Sequence, residues 1–207
     1  HILFLRDVPN NADAFGFFAR YVLCPRVANE MLLPARARIQ AMFSESERRA
    51  MAENPERIRE FIRTNIAFAP DLEYDALITA PAAALETRFA SPRAQDILFV
   101  AICRALGVPA RLNPIDSQPE YYSNGAFLPP HPRTANLAIT ASGVNPKYFE
   151  DFTIARLGSG GYVSLDLTGV PLGTAVPVLP GDYRILTSNR LPNGDVHMSA
   201  LAVSLLP

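Results

Sequence analysis

The chain has 207 residues, of which 49% are hydrophobic, and its 19 basic and 20 acidic side chains give a formal net charge of -1. This apolar share is enough to build a core and excludes a disordered chain, while the length allows one large domain or two small ones. The charges form no basic patch that would indicate nucleic-acid binding, and no apolar run is long enough to span a bilayer.

Two helical stretches are predicted near the start of the chain. Asn10 and Asn11 can cap a helix from Ala12 to Leu23, which Pro25 ends. A second stretch is predicted from Val27 to Phe43, with a kink or break at Leu33-Pro34. Arg26 and Glu30 have i, i+4 spacing, which indicates a local ion pair rather than a site.

Two further helices have clear start signals. Ser44-Glu45-Ser46-Glu47 is a capping box, and Asn54-Pro55 is a cap followed by a proline suited to the first helical position. The second of these helices is predicted to run to about Asn65 and to bury Ile58, Phe61, Ile62 and Ile66. Its charged residues are predicted to form a solvated face: Arg57, Arg59, Glu60 and Arg63.

An acidic stretch follows at Asp71, Glu73 and Asp75. It could bind a metal, but no fourth ligand or ordering glycine follows, so the sequence favours a solvated loop and predicts no metal site. Ala80-Pro81 begins a short helix that is predicted to reach Leu85.

The dominant element is a buried helix that begins after Ser91. Ser91 is a good N-cap, Pro92 fits the first helical position, and the run from Ile97 to Cys103 is entirely apolar. Gly107 follows the last turn as the C′ residue, and Pro109 keeps the helix from restarting. The remaining elements of the first half are expected to pack around this helix.

The end of this helix carries a family signature. The run C-R-A-L-G-V-P-A-R from Cys103 to Arg111, preceded by L-F-V-A at Leu98–Ala101, resembles the core of the transglutaminase-like superfamily, a papain-related group. The resemblance implies an α+β domain. In active members a nucleophilic cysteine opens the helix, and counting twelve residues back from Arg104 reaches Pro92 instead.

Only weak catalytic candidates remain. Ser91 is interpreted as a cap whose oxygen is already used, and Cys103 as a buried residue that behaves as a small hydrophobe. The family's second and third groups imply His131 and Asp166 as candidates. We interpret His131, between two prolines, as a linker residue, and Asp166 as the solvent-side residue of a strand. No catalytic triad is therefore predicted.

The two cysteines of the chain are Cys24 and Cys103, which form no metal-binding spacing. They could pair, but the sequence favours two buried thiols. No cofactor is predicted.

After Arg111, the run from Glu120 to Phe127 reads as a strand, a turn and a second strand. Its Tyr121, Tyr122 and Asn124 are candidate ligand-binding residues, because tyrosines suit sugar faces and peptide chains. A plain core role for the tyrosines stays open.

From about Thr134 onward no helix is predicted, and roughly six strands at short spacing indicate a small β-sandwich. The patterns Y-F-E-D-F-T-I-A-R and P-G-D-Y-R-I-L-T-S-N-R-L-P-N-G resemble the β-sandwich module that follows transglutaminase-like domains in some bacterial exported proteins. The expected fold is α+β: a transglutaminase-like domain over residues 1–130 and an all-β sandwich over residues 131–207.

Three functions remain open. The first, favoured by Pro92, is a non-catalytic transglutaminase-like scaffold or binding module for a peptide or glycan. The second is an active cysteine-type peptidase or protein-glutamine acyltransferase that works through Cys24 or Cys103. The third is a structural spacer within a larger exported assembly. The resemblance implies an extracytoplasmic location, in the periplasm or at the cell surface, and further domains in the same polypeptide.

Overall fold

The chain forms two compact units in the computed structural model, which describes residues 12–68, 78–130, 135–158 and 161–206. The first unit comprises the described residues of His1–Asn113 and Gln118–His131, and the second comprises those of Pro114–Ser117 and Pro132–Pro207. Helices and antiparallel sheets are both present, so the fold class is α+β. No helix among the described residues has both the length and the apolar character needed to cross a membrane.

All described helices lie in the first unit. They are α1 (Ala12–Phe18), which continues as a π-helical turn (Ala19–Leu23), α2 (Arg36–Ala41), α3 (Glu45–Glu53), α4 (Glu56–Asn65), α5 (Pro81–Thr87) and α6 (Pro92–Ala105).

The signals at helix ends were reliable. At the start of α3, the Ser44 side chain accepts from the Glu47 backbone N–H and the Glu47 carboxylate accepts from the Ser44 N–H, so both halves of the predicted capping box form. The predicted helices over residues 12–23, 55–65 and 81–85 are confirmed within about two residues at each end.

The predicted helix from Val27 to Phe43 is wrong in its first half, because only Arg36–Ala41 is helical. Proline disfavours helical geometry at the residue before it, so Leu33-Pro34 blocks the continuation. The expected pairing of Arg26 with the Glu30 carboxylate also gives way to a loop structure. That carboxylate accepts from the backbone N–H groups of Val27 at 2.7 Å and Ala28 at 2.8 Å, and Arg26 donates to the Glu30 carbonyl at 3.2 Å.

Helix α6 is the centre of the first unit, as predicted. Ile97, Leu98, Phe99, Val100 and Ile102 are completely buried, and the helix contacts α2, α4, α5 and the strands that follow it. Burying side chains of this size contributes about 1.5–3 kcal/mol each relative to exposure. The helix therefore holds the first unit together.

The C-terminal end of α6 closes in a Schellman motif. Gly107 has φ 86°, its N–H donates to Arg104 O at 3.2 Å, and the Val108 N–H donates to Cys103 O at 2.9 Å. The predicted role of Gly107 is confirmed.

A three-stranded antiparallel sheet completes the first unit, in the order β1 (Ala110–Leu112), β2 (Pro119–Ser123) and β3 (Ala126–Leu128). Asn124 and Gly125 connect β2 to β3, with φ values of 51° and 85°. Two successive left-handed residues suit an Asn-Gly hairpin turn. The predicted strand, turn and strand are confirmed.

The second unit contains antiparallel strands and, among its described residues, no helix. A two-stranded sheet pairs β4 (Ala135–Leu137) with β7 (Val176–Val178). A four-stranded sheet has the order β6 (Gly161–Ser164), β5 (Phe152–Gly158), β8 (Gly181–Arg190) and β9 (Val196–Leu205). Both sheets contribute to one apolar cluster, which includes Leu137, Ile154, Val178 and Tyr183.

Candidate functional site

The start of α6 is the position at which the family resemblance expects a nucleophile. Ser91 is 1% exposed, and its Oγ accepts from the Ala94 backbone N–H at 3.3 Å. Pro92 follows as the first helical residue and offers no nucleophilic atom. Ser91 therefore serves as the helix cap, as the sequence predicts.

Both cysteines are free thiols and lie away from this position in the chain. Cys103 is completely buried near the other end of α6, and burial raises the pKa of its thiol far above the ordinary value. Cys24 is half-buried after the π-helical turn, and its Sγ donates to Arg26 O at 3.4 Å. The expectation of two buried thiols is right for Cys103 and only half right for Cys24.

The other two catalytic candidates do not join these groups. His131 lies outside the described residues, as does the acidic stretch of Asp71, Glu73 and Asp75. Asp166 lies in the second unit, just after β6 rather than in a strand. It is exposed, as expected, and its Oδ1 accepts from the Thr168 N–H at 3.0 Å. A side-chain hydrogen bond with Thr168 and, to a lesser extent, this backbone contact lower the pKa of the carboxyl.

Among the described residues, the one histidine is His197, which lies on β9 in the second unit. The described part of the first unit therefore contains no histidine. No group of three or more histidine, cysteine, aspartate or glutamate side chains in the described ranges is placed to hold a metal ion. The described residues of the first unit thus bring no thiol and imidazole together.

The different burial of the two thiols predicts different rates of thiol labelling. A small alkylating reagent should reach the half-buried Cys24 in the native protein and leave Cys103 unmodified until the protein is unfolded in urea. The thiolate is the reactive form, and burial suppresses it at Cys103. Mass spectrometry of the native and unfolded protein, with Cys24→Ser as the control, measures both sites. Rapid stoichiometric labelling of native Cys103 would contradict the structure.

The ligand-binding candidates divide into three environments. Tyr121 packs against the apolar core of the first unit, and its partial burial raises the pKa of its hydroxyl. Tyr122 is half-buried on the same strand, and Asn124 is exposed at the hairpin turn. Tyr121 therefore has the core role that the sequence left open.

Tyr122 belongs to a group of four half-buried rings, Phe17, Tyr21, Tyr122 and Phe127, here called the aromatic cluster. The ring centroids of Tyr122 lie 4.8 Å from Phe17 and 5.2 Å from Phe127, and Tyr21 lies 4.8 Å from Phe127. The cluster joins the first helix to the β2–β3 hairpin. Sequence reasoning found only Tyr122 among these rings.

A fixed cation covers part of this cluster. The Arg111 guanidinium carbon lies 4.1 Å from the Phe127 ring centroid. Its Nε donates to Glu120 at 2.9 Å, and the other Glu120 oxygen accepts from the Asn113 side chain at 2.7 Å. Glu120 is 3% exposed, so this carboxylate holds Arg111 in one orientation. Aromatic rings beside an oriented guanidinium can contact both the apolar and the polar groups of a ligand.

The comparisons with known proteins agree with the class of fold. The first unit is an α+β domain built around a buried central helix. The family model of the transglutaminase-like superfamily matches residues 36–114, from the start of α2 to just beyond β1. Residues 36–114, which include α6, are thus similar to the transglutaminase-like superfamily. No curated protein and no solved structure matches the chain.

Proposed function

We propose that the first unit is a non-catalytic transglutaminase-like scaffold or binding module that recognises a peptide or glycan. The observation that carries the proposal is the start of α6, where a capping serine and a proline occupy the place that the resemblance gives to a nucleophilic cysteine. A thiolate at that place would gain stabilisation from the helix dipole. Proline cannot supply it, so the acyl-transfer chemistry of active members has no attacking group there.

Ligand binding is assigned to the aromatic cluster and Arg111. The half-exposed rings of Tyr122 and Phe127 offer apolar surface at low entropic cost, and Arg111 is already oriented by Glu120. A pre-organised cation on an aromatic surface suits a hydroxyl-rich sugar or the carbonyl groups of an extended peptide. The exposed Asn124 at the adjacent turn adds an amide to the same hairpin.

The second unit is proposed to be the β-sandwich module of an exported bacterial protein, which supports the first unit within a longer polypeptide. The shared apolar cluster of its two sheets supports this proposal. An extracytoplasmic location is proposed from the resemblance, and cell fractionation of the natural host tests it. Recovery of the protein in the cytoplasm alone would oppose it.

Binding arrays test the role of the aromatic cluster. Glycan and peptide arrays probed with the full chain should give ligands of one class, and Tyr122→Ala should weaken their binding by roughly tenfold, as for an aromatic contact residue. The matched control is Tyr162→Ala, because Tyr162 on β6 is 41% exposed and also packs under an arginine, Arg184, at 4.0 Å. Equal losses in both variants would contradict a site on the cluster.

The two other functions have distinct outcomes. A chain that binds nothing on either array acts as a spacer, and the binding proposal fails. Hydrolysis of a peptide substrate, or glutamine acyl transfer to an amine, that disappears in Cys24→Ser or Cys103→Ser would establish the cysteine-type enzyme instead. The same activity in both variants would point to a contaminant or to a group other than a thiol.

A further inference from the structure

We infer that strand β9 is a pairing edge through which two copies of this chain associate by antiparallel strand addition. This inference is independent of the proposed function, because it rests on the second unit alone. It begins with the position of β9 in the four-stranded sheet, where β8 is its one hydrogen-bonded neighbour among the described strands. Strand β4 of the other sheet contacts β9 but is not hydrogen-bonded to it. The opposite side of a terminal strand presents N–H and C=O groups that can pair with another strand.

The length and regularity of β9 make it an unusual edge. All ten residues from Val196 to Leu205 pair with β8 in one unbroken register, from Val196 opposite Arg190 to Leu205 opposite Gly181. No bulge interrupts this pairing. The other edge of the sheet is β6, which has only four residues. Short strands and bulges are the devices that normally protect sheet edges, and β9 has neither.

The amino-acid composition of β9 also does not protect this edge against strand addition. The strand reads V-H-M-S-A-L-A-V-S-L and contains no lysine, arginine, aspartate, glutamate or proline. Charged residues and prolines are the usual means of blocking strand addition. Large apolar side chains are instead exposed along it: Val196 is 48% exposed, Met198 65% and Leu201 59%.

A second copy of the chain is the occupant that these features fit. It supplies a strand of the same length, with no charge to repel β9 and with apolar side chains that lose water on pairing. A twofold axis normal to the sheet places residues of the same face opposite each other. When the axis passes midway between the two copies of Leu201, these residues face each other, and Ala200 of one copy faces Ala202 of the other.

The geometry predicts a closed dimer rather than a fibre. Each copy has one long edge in this sheet, and two such edges satisfy each other in an isologous contact. The product is a continuous sheet of eight strands, twice the four of one copy.

Sedimentation velocity of the full chain over a wide concentration range tests the inference. Wild type should pass from monomer to dimer with rising concentration. Leu201→Lys places two like charges opposite each other and should raise the dissociation constant by roughly tenfold or more. Val163→Lys on the short edge β6 is the matched control, since Val163 is 50% exposed, and it should dimerise like wild type.

Circular dichroism checks that both lysine variants are folded. We expect both to fold, because each substitution is at an exposed side chain. A wild-type chain that stays monomeric at millimolar concentration overturns the inference, as does a dimer that Leu201→Lys leaves unchanged. Open-ended association beyond the dimer also overturns it, because one long edge per copy allows only one partner.

Discussion

Replacing Arg104 with methionine is expected to lower the free energy of unfolding of the first unit by about 3 kcal/mol or more. Arg104 is 7% exposed, and its Nε donates to Ala110 O at 2.9 Å. Its Nη1 donates to the carbonyls of Cys24 at 3.0 Å and Arg26 at 2.8 Å. Methionine fills a similar volume but donates nothing, so these carbonyls lose a charged donor. Urea denaturation followed at 222 nm measures the change, because the described helices all belong to this unit.

Arg63→Met is the matched control. Arg63 pairs with Glu60 on the surface of α4, where both side chains are more than half exposed, at 71% and 62%. Exposed ion pairs contribute little, so this variant should change the free energy of unfolding by no more than about 0.5 kcal/mol. If the two methionine variants lost the same stability, Arg104 would not have the structural role that its contacts indicate.

The role of Arg104 gives the sequence signature a physical meaning. The arginine of the C-R-A-L-G run ties the segment after the π-helical turn to the end of α6 and to the start of β1. This function needs a buried guanidinium and no chemistry at the other end of the helix. The packing of the first unit therefore requires the arginine whether or not a nucleophile opens α6.

The sequence predicted the elements whose signals are local. Ser91 and Gly107 set the ends of α6 through contacts with residues only a few positions away, and Asn124-Gly125 fixes its own turn in the same way. The predicted helix from Val27 is wrong in its first half because Leu33-Pro34 blocks helical geometry. The Glu30 carboxylate, which accepts from the Val27 and Ala28 N–H groups, adds a second competition with helical hydrogen bonds. Periodicity alone does not weigh that competition.

Contacts between distant segments were beyond the sequence. Arg59 was predicted on a solvated face, but it donates to Asp96 on α6 at 2.8 Å, and the two side chains are only 25% and 12% exposed. Phe17 and Tyr122 meet in the aromatic cluster although more than a hundred positions separate them. Each is an ordinary aromatic residue in its own segment, and only the packing of α1 against the hairpin makes them neighbours.

The packing of α6 depends on the ring of Phe99, which is completely buried. Phe99→Ala should destabilise the first unit by about 3–5 kcal/mol, because it removes a completely buried ring and leaves a cavity that a rigid helix cannot close. Phe89→Ala is the matched control: the same substitution ten positions earlier in the chain, where the side chain is 48% exposed. It should cost less than about 1 kcal/mol, since little apolar contact is lost.

Urea denaturation at 222 nm compares the two alanine variants under one set of conditions. A large loss for Phe99→Ala and a small one for Phe89→Ala would establish that burial of α6, rather than aromatic content in this stretch, determines the stability of the unit. Similar small losses would mean that the surrounding helices close over the missing ring. In that case α6 would not be the rigid centre of the first unit. The proposal that Pro92 occupies the nucleophile position would then lose support, because it requires α6 to have a fixed start and a fixed register.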